Sequence, residues 1–531
     1  MNHLGRPYQV WLCVLLVAAG FILAGAVLLP YNGVEEDEAL FSGPIFHHGA
    51  PEDGVKISRY LVPLMVMDYV GALKSWLYFP IFHLFQSSPA SLRFPVLIIG
   101  AITICLFARL LERIAGLRAA VAGAVLLATD TMFLMTTEFD WGPVAIQHLT
   151  LVAACLFLLD FARTNSRMLL AAGFFMLGLG LWDKAIFSWS LAGLVIAAAV
   201  VFAREVRRRI NAPNLAIALA AFLAGCAPLI IFNLRYDWRT FRGNAAFSAE
   251  NLLGKADVVR STLNGGGLFG YMVNPPSDLA HDPETQLQRA SLGLSDFARH
   301  PHYNLLVPAL TVAIIAGLLF RRTRSAILFA LVFMFVTWLA MALTKNAGGS
   351  VHHTVLLWPF PHLILAIVLA EVSRRSIPTG PIFAIAALVA LSAANLLVTN
   401  QYLAQLIRYG PSITWSDAIY PLSTSLRNET AEIFTTDWDC FNSLILLNHG
   451  RLKIHPGIDF GDQNPQMVAN LLALPRAIFI THTPPHQFFP AATQRLESAA
   501  AARHYRKEIL YVIADSHGQP VFEVYQFVPG S

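Results

Sequence analysis

The run VWLCVLLVAAGFILAGAVLLPYNGVEEDEALF, from Val10 to Phe41, decides what kind of protein this is. Residues 10–29 carry no charge, and a bilayer-spanning helix needs about 20 largely apolar residues. The segment therefore reads as a membrane span. A turn, Pro30-Tyr31-Asn32-Gly33, ends it, and Glu35, Glu36, Asp37 and Glu38 follow at once. Four carboxylates where a chain leaves the membrane cannot be lipid anchors. Anionic headgroups repel them, and unpaired burial in hydrocarbon is costly for each. They are either a solvated turn or the acid–base end of an active site at the membrane surface.

The rest of the chain agrees with the span. Of 531 residues, 56% are hydrophobic and 13% charged, against about 25% charged in an ordinary soluble domain. Mean hydropathy is +0.56. This is the composition of a polytopic membrane protein. The formal net charge of +4 is too small to point to nucleic acid. Cys13, Cys105, Cys155, Cys226 and Cys440 are scattered, four of them in apolar runs, so they read as small buried hydrophobes rather than metal ligands or disulfides. The N-terminus has a short basic start (His3, Arg6) and no small-residue cleavage site, which reads as an uncleaved first helix.

Eleven candidate spans emerge: 10–29, 94–112, 118–136, 143–162, 168–183, 186–203, 214–233, 303–320, 325–343, 354–371 and 380–398. Segment 61–86 is apolar but broken by Pro63, Asp68, Lys74 and Pro80, and reads as interfacial helices. With eleven spans, five arginine-bearing loops fall on the side of the N-terminus. They contain Arg109, Arg113 and Arg118; Arg163 and Arg167; Arg204 and Arg207 to Arg209; Arg321, Arg322 and Arg324; and Arg374 and Arg375. The acidic loop, the Glu138/Asp140 turn and the tail fall opposite. The positive-inside rule then makes the N-terminus cytoplasmic and the large loops periplasmic or extracellular, in a bacterial inner or plasma membrane.

Three large parts face outward: 30–93, 234–302 and 399–531. The spacing divides the chain into a membrane domain, 1–400, and an outer α/β domain, 401–531. In the latter, strand signals at 431–436, 451–455 and 477–481 alternate with helical stretches at 416–428, 440–449, 465–474 and 490–504. A hairpin, 508–514 and 520–527, turns at His517-Gly518. Alternation favours a partly parallel sheet.

Several further motifs stand at the outer ends of spans. They are Leu92-Arg93-Phe94-Pro95, Thr136-Thr137-Glu138-Phe139-Asp140, and Gly178-Leu-Gly-Leu-Trp-Asp183-Lys184. In this order and sidedness the chain resembles the GT-C superfamily of polyprenyl-phosphate-sugar glycosyltransferases, the group that includes protein O-mannosyltransferases and the lipid A aminoarabinose transferase. The family's acidic pair in the first outer loop matches Asp37-Glu38. Its arginine-bearing mouth of the next span matches Leu92 to Pro95. Its second acidic position corresponds to Glu138 or Asp140, and its glycine-rich helix ending in lysine matches Gly178 to Lys184. The resemblance covers roughly residues 10–400. Two departures stand out. Gly71-Ala72-Leu73-Lys74 replaces the family's Pro-Pro-Leu-Tyr-type element, and Thr136-Thr137 stand where an arginine is often found.

The chemistry of the residues agrees. Transfer of a sugar from a lipid phosphate needs a base for the acceptor's hydroxyl proton, and a single displacement inverts the anomeric centre. The leaving phosphate needs cations near the headgroup plane. Asp37 is the preferred base, with Glu38 beside it. Lys184, Lys345 and Arg93, each at a helix mouth, and His352, at a position where the family often contacts donor phosphate, are the candidates for the phosphate. For each cation the competing reading is a side chain snorkelling to the interface. Glu138, Asp140 and His353 are candidates for orienting the acceptor or the basic groups. The expected partners are a polyprenyl-phosphate sugar, a glycan, lipid or protein acceptor, and membrane lipids.

Other motifs carry less. His47-His48, near Glu52 and Asp53, has the donor types for a divalent metal, whereas the resemblance implies metal-independent transfer. Asp437-Trp438-Asp439 has the form of a nucleotide-sugar motif but lies outside, where a structural turn or acceptor contact is the better reading. Asp130 lies within a span, where Thr129 and Thr131 are near enough to satisfy it. The run Asn264-Gly265-Gly266-Gly267 reads as a loop segment able to cover the acceptor.

Two other classes compete. A transporter or lipid flippase predicts duplicated halves and polar breaks at the bilayer midplane, and neither is visible. A sensor or assembly factor with an outer ligand-binding domain predicts that conservative change of Asp37 costs no function.

Overall fold

The computed structural model describes residues 5–46, 52–58, 60–244, 246–277, 280–375, 378–457, 465–474 and 476–530. Six of its helices are long and apolar enough to cross a membrane: Tyr8–Leu28, Pro89–Ala115, Ala145–Thr164, Arg324–Ala342, Val351–Val372 and Thr379–Tyr409. Three bent pairs raise this to nine if each pair is one span: Leu117–Ala128 with Thr131–Glu138, Phe187–Val201 with Ala203–Arg209, and Ala212–Gly225 with Ala227–Arg235. Segments 168–183 and 303–320 form helices of 17 and 13 residues, Arg167–Asp183 and Leu306–Leu318, short of that length. All eleven apolar segments are helical, and the protein is an integral membrane protein.

Local sequence sets the helix ends. Helix Pro89–Ala115 starts on a reciprocal cap between Ser88 and Ser91 with proline in the first turn, and stops at Gly116, whose φ of 86° is glycine territory. The break at Asp130, a 60° bend, is built by the aspartate itself. Its carboxylate accepts from Phe133 N at 2.7 Å, Trp358 Nε1 at 2.9 Å and His362 Nε2 at 3.1 Å. Thr129 and Thr131 donate elsewhere, to Val125 O and Asn395 O. The expected threonine partners are therefore replaced by a tryptophan and a histidine over 200 residues away in sequence. Helices Arg167–Asp183 and Ala212–Gly225 approach through glycines. A Cβ on Gly178 would stand 2.3 Å from Phe222 O, and one on Gly225 2.4 Å from Phe175 O. Small residues permit such contact between membrane helices, where apolar packing must replace the hydrophobic drive of water.

The arginine loops gather at one end. Arg113 pairs with Asp160 at 3.1 Å, Arg118 donates to Ser373 O at 2.6 Å, Arg374 donates to Ala115 O, and Arg375 stacks on Phe320. At the other end lie the first loop, the 139–144 turn, residues 183–186 and the C-terminal domain.

Segment 61–86 is only half helical. Strands β1 (Asp53–Ile57) and β2 (Tyr60–Met65) form an antiparallel hairpin, and a helix occupies Leu73–Leu84. Pro63 lies inside β2, the edge position proline tolerates. The C-terminal domain carries β3 (Glu432–Thr435), β4 (Ile454–Pro456), β5 (Ala477–His482), β6 (Tyr505–Ala514) and β7 (Pro520–Pro529), in the order β4-β3-β5-β7-β6. β3 runs parallel to β4 and β5, while β7 is antiparallel to β5 and β6.

An apolar cluster joins the parts. Val34, Ala39 and Phe41 of the first loop pack with Tyr78 and Phe82 of helix Leu73–Leu84, Leu92 and Val96 at the mouth of the next span, and Leu446 of the C-terminal domain. Each such side chain contributes roughly 1.5–3 kcal/mol by burial. The acidic run is thus fixed by packing rather than left in solvent.

Candidate active site at the loop end of the helices

Three of the four carboxylates after the first span are buried, and each has a separate structural use. Glu35 caps the short helix Glu36–Ala39 by accepting from Glu38 N at 2.9 Å. Glu36 reaches the C-terminal domain, where Asn442 N and Asn442 Nδ2 donate to its two oxygens at 2.8 and 2.6 Å. Glu38 is gripped by Arg93, whose Nε and Nη2 donate at 2.8 and 2.9 Å. Asp37 stands between these fixed neighbours. It is half-buried and lines a narrow cavity with Leu40, Phe41, Val66, Val70, Gly71, Lys74, Pro143 and Asp183. The cavity has 20 Å³ open to the centre of a water, room for about one molecule.

The cation on the cavity wall, Lys74, and the one near Asp37, Lys184, are held by carbonyl or carboxylate groups. Lys74 Nζ donates to Asp140 Oδ2 at 2.9 Å and lies 4.6 Å from the Phe41 ring centre. Asp140 Oδ1 in turn accepts from Val144 N and Ala145 N, capping the next helix. Lys184 Nζ donates to Gly142 O at 3.2 Å, and the chain there is pinned by Gly71 N to Asp183 O at 3.0 Å. Gly71 is obligatory at this crossing, since a Cβ would meet Trp182 O at 1.9 Å. Burial lowers the Lys184 ammonium, and Asp37, Asp183 and Asp140 pull it back up. Burial raises Asp37 above the ordinary aspartate value, and Lys184 pulls it down. Asp183 is buried on the cavity wall, with the Gln147 side chain against its carboxylate.

The remaining candidates are distributed around this centre. Arg93 is fully buried; it also donates to Gly33 O at 2.6 Å and lies over Phe139 at 4.5 Å. Its donors are taken up by the protein, so it joins the first loop to the helix bundle instead of offering a free guanidinium. Glu138 is buried against Gly25 with neither carboxylate oxygen hydrogen-bonded. Lys345 is exposed. His352 packs over Gly142 and edge-on to Trp141, with its Nδ1 2.8 Å from Ser350 Oγ. His353 stacks on its neighbour and lies edge-on to Trp189. His47 and His48 lie outside the described residues. Among the described residues no three His, Cys, Asp or Glu side chains gather to hold a metal.

Two residues of this centre carry no local sequence signal, and a third lies in a run whose sequence suggests a turn or an acceptor contact. Lys74 falls in the element that departs from the family. Tyr271, from the 234–302 loop, packs on Trp141 at 5.7 Å; burial raises its phenol, and the charges of Glu35, Asp37 and Asp439 add to this. Asp439 comes from the Asp437-Trp438-Asp439 run. There Asp437 is a turn-former that accepts from Phe488 N, Phe489 N and His482 Nδ1. Asp439 Oδ1 accepts from Glu36 N at 3.0 Å. Chain distance hid these partners, and long-range acidic or aromatic neighbours leave no periodic trace.

The chain thus builds a multi-span bundle with an acidic first loop, two lysines at its mouth and a small mixed sheet in its C-terminal domain. Residues 71–232 match the family model described as dolichyl-phosphate-mannose-protein mannosyltransferase. ArnT from Cupriavidus metallidurans bound to undecaprenyl phosphate superposes over 98% of this chain and 98% of its own, with a TM-score of 0.58 at 13% identity. Its apo form covers 96% and 97%, with 0.58 at 15%. The Archaeoglobus fulgidus oligosaccharyltransferase in complex with Zn and sulfate covers 96% of this chain and 72% of its own, with 0.52 at 14%. No curated protein matches at the sequence level. The fold is that of the GT-C membrane glycosyltransferases.

Proposed function

We propose that this protein is a glycosyltransferase that moves a sugar from a polyprenyl-phosphate donor to an acceptor hydroxyl. The reaction takes place on the periplasmic or extracellular face, opposite the arginine loops. The observation that carries this reading is the half-buried Asp37 on a cavity shared with Lys74 and Asp183, with the charge of Lys184 acting on it. The family match across 71–232 and the likeness to an ArnT that binds undecaprenyl phosphate support it.

The step is a single displacement. The acceptor oxygen attacks the anomeric carbon, its proton passes to Asp37, and the bond from that carbon to the phosphate oxygen breaks with inversion. The phosphate leaves on its lipid, its charge met by Lys74 and Lys184 in a site shielded from water, where such contacts are stronger than in bulk solvent. Asp140 holds Lys74 in place, and Glu38 with Arg93 holds the loop. His352, which packs over Gly142, and the exposed Lys345 are the outer candidates for the phosphate.

The test is mass spectrometry of glycolipids and glycoproteins from a strain lacking the gene. The expected result is loss of one sugar modification and accumulation of the glycosylated polyprenyl phosphate, both restored by the wild-type gene. Unchanged glycans with an unchanged donor pool would overturn the reading.

A further inference from the structure

Asp37 has fixed neighbours on both sides, and the two are held by different parts of the molecule. Glu38 is gripped by Arg93 of the membrane helix Pro89–Ala115. Glu36 is gripped from the C-terminal domain. Its amide donates to Asp439 Oδ1 at 3.0 Å, and its carboxylate takes both the backbone and the side-chain N–H of Asn442, at 2.8 and 2.6 Å. Three hydrogen bonds thus tie one buried residue of the first loop to the C-terminal domain. Asp439 makes its bond from a φ of 83°, a conformation a non-glycine residue keeps only when its surroundings impose it. Asn442 opens the helix Phe441–Leu447, whose Leu446 packs into the cluster that fixes the first loop.

We propose that Asp439 and Asn442 are positioning residues for Asp37, which makes the C-terminal domain a working part of the catalytic unit rather than an appended acceptor-binding module. The inference rests on the reading of Asp37 as the base. Between a clamp on the residue before it and a clamp on the residue after it, the Asp37 backbone is held where its side chain lines the cavity. A shift of about 1 Å in such a group costs about a hundredfold in rate. Loosening the Glu36 clamp therefore lowers turnover without removing any group that touches the substrate.

The experiment compares full-length Asn442→Ala, Asp439→Ala, Asp439→Asn and Asn448→Ala with the wild type. Asn448 lies just beyond the same helix, and its side chain hydrogen-bonds Ser423 Oγ at 2.9 Å within the C-terminal domain. Hydrogen exchange of the amides at residues 36–41 is read first. It is expected to quicken about tenfold in Asn442→Ala and Asp439→Ala, and to stay as in the wild type in Asn448→Ala. Asp439→Asn keeps both an acceptor oxygen and tolerance of positive φ, and is expected to restore protection. The glycosylated product made in cells at equal protein level is read second, and should fall at least about tenfold in the two alanine variants only. Pairing Glu36→Ala with Asn442→Ala should cost no more than either alone, because both break one contact. Unchanged exchange at 36–41 in Asn442→Ala, or an equal loss of product in Asn448→Ala, overturns the proposal. A wild type that makes no glycosylated product would instead defeat the glycosyltransferase reading, and the exchange result would still decide the clamp.

Discussion

Arg93 and Glu38 form a two-bond ion pair, 2.8 and 2.9 Å, with neither side chain exposed. Breaking a buried pair from one side leaves an uncompensated charge and costs about 3–5 kcal/mol. Arg93→Ala and Glu38→Ala should each lower the thermal midpoint of the detergent-solubilised protein strongly. Arg93→Lys should fall between them and wild type, since lysine cannot make the forked contact or reach Gly33 O as well. Thermal unfolding followed by intrinsic fluorescence checks this.

Lys74 is committed to Asp140 at 2.9 Å and faces the cavity. Lys74→Met removes the cation while keeping most of the side-chain volume. Binding of undecaprenyl phosphate, measured by calorimetry, should weaken by about tenfold or more, equivalent to about 1.4 kcal/mol. Lys345→Met, at an exposed site, should weaken it less.

Burial places Asp37 above the ordinary aspartate value of 3.8. A base must be deprotonated to work, so the rate should fall as pH drops, with the acid limb centred above that value. Lys184→Met removes the charge that pulls Asp37 down, and the limb should move further up. A limb that stays in place would separate the two residues.

Glu36 is raised from 4.5 to about 7, first by burial, and held back from a larger shift by Asn442. The folded state therefore binds this proton more tightly than the unfolded chain does. Its contribution to stability is full below about pH 4.5 and is lost as pH rises to about 7. Glu36→Gln should flatten the stability–pH curve across that window, as read from denaturation midpoints at several pH values.

Much of the fold is legible because the bilayer constrains sequence strongly. Uncharged runs such as 10–29 and clustered arginines such as Arg207 to Arg209 mark spans and their ends. Strand β2 falls in the segment 61–86 read as interfacial helices, because it is short and Pro63 breaks its alternation. At the site, Asp37 and Lys184 stand out as charges at helix mouths. Lys74 does not, because its importance comes from Asp140, 66 positions away. Asn442 is invisible for the same reason, and Asp439 shows only as part of an acidic run, since their partner Glu36 lies some 400 positions away. Asp130 is conspicuous as a buried charge, yet Trp358 and His362 can be found only in three dimensions.

The most direct test of the account is Asp37→Asn, which keeps the shape of the side chain and removes its basicity. The variant should fold, bind undecaprenyl phosphate as the wild type does, and make no glycosylated product in a strain lacking the native gene. Wild-type levels of product from Asp37→Asn would contradict the account.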